Sequence, residues 1–545
     1  MTSSGPFRSL RELYFRSPVS NWRLNQDKHS QIIVPTNDAW PGNPAHGRAI
    51  VEGVISIPGA SITDTNAPWK QLPDIPYHAE YLHGFKWLRD LRDFGGEAAR
   101  STARTLVTRW IDAHDTWHPI AWRPDILGTR LAIWLGTYDI FCDAANDAFR
   151  DRIMASISRQ ARHLARDLDA APKGVHQLNA LAGLTISSVT LGTGDDRMEQ
   201  AERALEREIG AQINPDGGHV SRSPARHCEA LMALIDIRGA FRARGRQTPE
   251  TLDAAIGQMT SMLRMWRHGD GKLSLFNQTA EGSPALLENL IARSESRRKT
   301  ATEAPDTGFH RLTGGRTCVI VDTGSPTSLE ASAHASPLAF ELSSGKQRLI
   351  VNCGTSTGDL RWQGPLRASA AHSMLVIDDH NAADVASDGQ PGLRSTTVKC
   401  QRSHAEGATL LEAEHDGYWE KFGLVHHRRL FLSAAGDDLR GEDRLVYTGA
   451  PGALPIAATI RFHLHPRVRA SVIQSGTSAL LRLPGGSGWR MHTDSGLSLN
   501  ESIYFGTDNK QRSEQIVIST PLDGVRETGE ITIRWTLRRE DNRAA

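Results

Sequence analysis

The chain is poor in three things. Among 545 residues it has five cysteines, Cys142, Cys228, Cys318, Cys353 and Cys400. An odd, scattered set excludes a disulfide framework and reads as reduced thiols. It has no excess of charge of either sign: 63 Lys and Arg face 62 Asp and Glu, a net charge of +1. That excludes nucleic-acid binding by bulk charge, leaving local basic patches open. It has no apolar run of membrane-spanning length. The opening, MTSSGPFRSLRELYFRSPVSNW, spreads its charges and holds no apolar core of signal-peptide length. A cytoplasmic protein with no membrane partner is therefore expected.

What is present is ordinary for a globular protein: 39% hydrophobic and 23% charged residues. The length exceeds one ordinary core, so two domains are expected. Residues 1–60 carry Trp22, Trp40, several Pro and Gly and the strand-like run AIVEGVISI, which predicts an irregular arm with a short strand or hairpin. Residues 61–300 turn helical. EYLHGFKWLRDLRDF, ARSTARTLVTRWIDAH, PDILGTRLAIWLGTYDIFCDA and their successors repeat apolar residues at three-to-four spacing. Pro124, Pro224 and Pro249 stand where first helical turns belong. Helical hairpins in sequence form either a solenoid or an α/α toroid, and periodicity does not choose. RSESRRKTATEAPDT, 293–307, is a polar linker candidate. From 308 to 545 the period becomes two, and many short strands with turns between them predict an antiparallel β-sandwich.

Polar groups gather around the strand-like runs LAFEL, RLIVNC and SMLVID. These are His334-Ala-Ser336, Asn352-Cys353-Gly354 and Ser369-Ala-Ala-His372-Ser373, with Arg361, Trp362 and Arg367 between them. The three stretches resemble the C-terminal half of the heparinase II/III family of polysaccharide lyases. That family carries His-x-Asp, Asp-x-Gly and Ser/Thr-x-x-His-Asn there; Ser336 and Asn352 replace the two acidic residues. The resemblance implies an incomplete α/α toroid before the sandwich. It also implies β-elimination beside a uronic acid in an acidic glycan or oligosaccharide. That reaction must neutralise the sugar carboxylate, remove the adjacent proton and protonate the leaving oxygen.

Three clusters offer those groups. In Gly174-Val-His176-Gln177-Leu178-Asn179, His176 and Asn179 share a helix face. His176 suits a base, and Gln177 or Asn179 a carboxylate partner. Asp216-Gly-Gly-His219…Arg222-Ser223-Pro224-Ala-Arg226-His227 resembles the family's Asp-Gly-Gly-His…Arg-Ser-Pro-x-Tyr-His motif, with Arg226 in place of Tyr. Arg cannot donate a proton at neutral pH, but it can clamp a carboxylate with two hydrogen bonds. His227 is the nearest replacement acid. His415-Asp416-Gly417-Tyr418 supplies Tyr418 as the other candidate acid. His334 is a candidate second base. Arg361, Trp362 and Arg367 suit a sugar cleft, and plain packing is the competing reading.

Some family members hold a structural zinc in the sandwich. His334 and His372 occupy the matching places, with Cys353 beside the weak ligand Asn352, so a His334/Cys353/His372 site is an expectation. The chemistry itself requires no cofactor. The rival reading is a non-catalytic glycan-binding protein on a lyase scaffold. No paired-acid motif favours a hydrolase, and a homodimer stays open.

Overall fold

The computed structural model describes residues 6–25, 31–57, 59–70, 75–193, 195–326, 332–384, 396–449, 452–507 and 509–540. The chain divides into two compact units. One comprises Met1–Ile213, Glu229–Gly257 and Asn289–Ser296; the other comprises Asn214–Cys228, Gln258–Glu288 and Arg297–Ala545. The helical part is an incomplete α/α toroid and the strand part an antiparallel β-sandwich. No described helix is long and apolar enough to cross a membrane.

In the first unit, helices start where Pro can sit. Ser17 caps Pro18–Leu24 by accepting the Ser20 N–H, and Asn43 caps Pro44–Val51 by accepting the Ala45 N–H. The segment read as an irregular arm thus carries helices, Pro6–Arg16 among them, before the hairpin Ile55–Ile57/Ala60–Ile62. The run from Glu80 to Phe94, which reads as one helix, is two, Pro76–His83 and Leu88–Phe94. Phe85 breaks it at φ 59° and buries its ring against Trp110 and Trp134. Pro249 lies just outside helix Glu250–Met265 rather than in its first turn.

Helix Pro124–Gly136 packs against Val175–Thr190 through small residues. A Cβ on Gly128 would lie 2.5 Å from the Asn179 carbonyl oxygen and 2.7 Å from the Ala180 Cα, and one on Gly183 would lie 2.3 Å from the Gly128 Cα. Both helices therefore approach backbone to backbone. Replacing a helical Gly by Ala ordinarily gains about 1 kcal/mol. Here overpacking, at about 1–3 kcal/mol, opposes that gain. Gly128→Ala is expected to lower the denaturant midpoint of unfolding; a raised midpoint would show that the helices separate freely.

In the second unit, one sheet of eight strands runs in the order Arg469–Ile473, Ser478–Arg482, Gly488–Thr493, Glu530–Glu540, Asp438–Tyr447, Leu424–Leu432, Ala408–Tyr418, Val398–Ala405. A nine-stranded sheet runs Leu497–Tyr504, Gln511–Pro521, Ala457–Leu464, Gln347–Val351, Phe340–Ser344, Thr317–Asp322, Phe309–Gly314, Glu303–Ala304, with Leu375–Ile377 paired to Ala457–Leu464. Alternation sorts the side chains: along Leu424–Leu432 the inward residues are Leu424, His426, Arg428, Leu430 and Leu432. The inward polar ones are paired. Asp443 accepts from His426 at 2.8 Å, Arg428 at 2.7 Å and the Trp535 indole at 2.9 Å. A buried charge without such partners would cost several kcal/mol.

Candidate functional site

In the first unit, Pro124 fixes a helix start and places Asp125 in the first turn; Val175 opens the helix that carries His176. Parallel packing of the two helices brings these first turns together. The His176 Nδ1 lies 2.9 Å from Asp125 Oδ2. Arg123 grips the same carboxylate with Nε to Oδ1 and Nη2 to Oδ2, both at 2.7 Å, and its Nη2 also reaches Glu80 at 2.6 Å. Burial alone would raise the Asp125 carboxyl, but hydrogen bonds from His176 and Arg123 outweigh it and hold it well below the usual carboxylate range. Asp125 is 3% exposed, whereas the His176 side chain is 22% exposed. Asn179 follows on the same helix, half-buried, one turn from His176. Gln177 points elsewhere: it is buried and donates to the Leu168 carbonyl at 3.2 Å.

In the second unit, the Asp216 motif is a folded turn. Asp216 accepts the Gly218 N–H at 3.0 Å and the Thr307 N–H at 2.7 Å, and Gly217 takes φ 89°. Ser223 accepts the Arg226 N–H at 3.4 Å at the start of helix Pro224–Ala243. Arg222, at φ 57°, buries its guanidinium on Asp322 and donates to the carbonyls of Thr307 and Ser325. Arg226 is half-buried. His227 is fully buried, its Nε2 donates to the Met259 carbonyl at 2.8 Å, and burial pushes it down to about 3. Tyr418 is likewise fully buried and donates its hydroxyl to the Leu375 carbonyl at 2.7 Å. Both candidate acids are thus tied to backbone inside the sandwich unit.

His334 and His372 do meet, Nδ1 to Nε2 at 2.9 Å. The Gln278 N–H donates to His334 Nε2, so Nδ1 carries the proton and donates to His372 Nε2; His372 Nδ1 in turn donates to the Ala368 carbonyl. The relay consumes every ring nitrogen of a buried, neutral pair, and burial pushes His334 well below and His372 down to about 4. Cys353 faces His463 instead, Sγ to Nδ1 at 3.5 Å, and burial pushes its thiol up to about 12. Asn352 spends its Oδ1 on the Ser373 N–H. A zinc ion needs free imidazole lone pairs and a thiolate; this arrangement offers neither, so His334, Cys353 and His372 do not fit the metal.

The residues expected near strand ends are helical. Arg361, Trp362 and Arg367 lie on Leu360–Arg367. Arg361 is exposed and paired with Asp359, Trp362 packs on Phe505 with the Lys510 ammonium 4.6 Å from its ring, and Arg367 donates to the Ala333 carbonyl. Asn277 was not singled out by sequence. Its Oδ1 accepts the His334 N–H and its Nδ2 donates to the Arg222 carbonyl. Asn277 and Gln278 both hold positive φ, 46° and 56°, a region Asn enters more readily than most residues.

The profile of the family "Heparinase II/III-like, C-terminal" matches residues 296–536. FtsZ-localized protein C of Caulobacter vibrioides (strain NA1000 / CB15N) is 32% identical over 562 residues, covering 97% of this chain and 94% of that protein. The chain belongs to the heparinase II/III-like family. A crystal structure of heparinase III superposes with a TM-score of 0.71 at 14% identity, covering 99% of this chain and 92% of the other. Heparan sulfate lyase HepC from Pedobacter heparinus superposes at 0.60 with 15% identity, covering 98% and 89%. At those identities the heparinase likeness is one of fold, a polysaccharide-lyase scaffold. The residues expected to transfer protons fall into two kinds on it: His227, Tyr418 and His334 are internal struts, and His176 is a half-exposed imidazole oriented by a carboxylate.

Proposed function

We propose that the chain is a polysaccharide or oligosaccharide lyase that cleaves beside a uronic acid by β-elimination, with His176 as its proton-transfer group. The observation that carries this reading is the state of His176. Its Nδ1 is fixed by Asp125, and among the described residues Nε2 has no hydrogen-bond partner. Nε2 takes the proton from the carbon beside the sugar carboxylate. The Asn179 amide hydrogen-bonds that carboxylate, spreading the charge that develops on it. The electron pair forms the carbon–carbon double bond, the carbon–oxygen bond breaks, and its pair goes to the glycosidic oxygen. If proton and leaving group lie on one face of the ring, the imidazolium returns its proton to that oxygen. One histidine then serves as base and acid, which suits a chain whose other candidate acids are buried.

A second reading has its own support: a glycan-binding protein on a lyase scaffold, without elimination. Arg226 replaces the family's Tyr, and the curated relative is named for where it localises, at FtsZ. The test is the ultraviolet absorbance of an unsaturated uronate product across a panel of acidic glycans. Product formation is expected. Binding without product, from a folded chain, would replace the first reading with the second.

A further inference from the structure

We propose that Asp125, backed by Arg123 and Glu80, is the positioning residue that sets the tautomer and direction of His176; the proposal rests on the reading of His176 as the proton-transfer group. A carboxylate only accepts, so the 2.9 Å contact puts the His176 proton on Nδ1 and the lone pair on Nε2. Asp125 is itself immobilised. Both its oxygens take Arg123 donors at 2.7 Å, and the second Arg123 contact, to Glu80 at 2.6 Å, anchors the guanidinium from behind. The close approach at Gly128, one turn along the helix from Asp125, fixes the two helices that carry the pair. The same carboxylate would stabilise an imidazolium formed at Nε2, as carboxylate partners do in other His-based sites.

Glu80, Asp125 and His176 also place donor atoms within 4.8 Å of one another, a spacing that a metal ion could use. The guanidinium of Arg123 already bridges the two carboxylates, so the cation of this cluster is built into the chain. That is why the cluster reads as a positioning device.

Asp125→Asn separates positioning from packing, because the amide has the same shape. Its NH2 group cannot accept from Arg123 or from His176 Nδ1–H. With the amide nitrogen toward His176, it would donate to Nδ1 and push the proton to Nε2. Imidazole nitrogen NMR on the full chain is expected to find the Nδ1–H form of His176 in the native protein, and an Nε2–H or mixed form in Asp125→Asn. Turnover is expected to fall about 10²–10⁴-fold, the usual range for a proton-transfer group, with KM changed less than about threefold. Asp125→Glu should restore the Nδ1–H form in part. The NMR readout needs no turnover, so an inactive native chain would overturn the lyase reading and leave this proposal to be decided. The Nε2–H form in the native protein would overturn it even if Asp125→Asn failed to fold. So would an Asp125→Asn chain with unchanged tautomer and rate.

Discussion

Acidification from about pH 7 to about pH 5 is expected to lower the unfolding midpoint steeply, because the fold stores several imidazoles uncharged. Burial pushes His114 and His310 down to about 4 and His163 and His227 down to about 3. In the unfolded chain each would titrate near about 6.5. Above that value both states hold these rings neutral, and their contribution to stability is complete. Below it the unfolded chain binds protons that the fold refuses, so stability is lost as pH falls from about 6.5 toward the folded values, at up to about 1.4 kcal/mol per pH unit for each group. Several carboxyls work the other way. Asp236, half-buried against the Trp40 indole, is pushed up to about 7, and burial also raises Asp90, Asp167 and Asp322, so the fold takes these protons first and gains stability as pH falls. The lowered rings, which also include His83, His334, His372 and His463, outnumber these carboxyls. Urea melts at about pH 7.5, 6 and 5 check this, and a flat midpoint would mean that the rings are charged inside the fold.

The architecture was largely legible because periodicity is a one-dimensional signal. Alternation in Ala408–Tyr418 and Leu424–Leu432 comes from one buried and one solvated face, and three-to-four spacing in Gly96–His114 from one buried stripe. The N-terminal helices were missed although Ser17-Pro18 and Asn43-Pro44 carry cap-and-proline starts; Trp, Pro and Gly drew attention to loop character instead. The split at Phe85 was hidden because an aromatic residue is rare at positive φ, and only burial against two indoles holds it there. The candidate site was half legible. His176 and Asn179 stood out by type and spacing, but Asp125 lies 51 residues away and meets His176 only through helix packing. Burial of Tyr418, His227 and His334 was equally invisible, since a polar residue inside a sandwich and one at its rim have the same letter. Two contacts that no spacing rule foretells decide the expected metal set: the Gln278 amide occupies His334 Nε2, and Cys353 faces His463.

Removing the imidazole should have the largest effect on chemistry. His176→Ala is expected to cut kcat/KM for β-elimination by about 10²–10⁴-fold, the range that one general base supplies. Because the ring is only half-buried and Asp125 keeps both Arg123 contacts, the thermal midpoint should move little. The combination is diagnostic: a buried strut such as His227 would lose stability first and activity only as a consequence. A one-histidine mechanism predicts more. The same substitution removes both proton abstraction and protonation of the leaving oxygen, so a substrate whose leaving group needs no proton should recover part of the loss. Asn179→Ala removes only the carboxylate partner and should leave that leaving-group dependence intact. If His176→Ala retained native kcat/KM while Tyr418→Phe abolished it, the proton would travel through a group now packed inside the sandwich, and the fold would have to open during turnover to expose it.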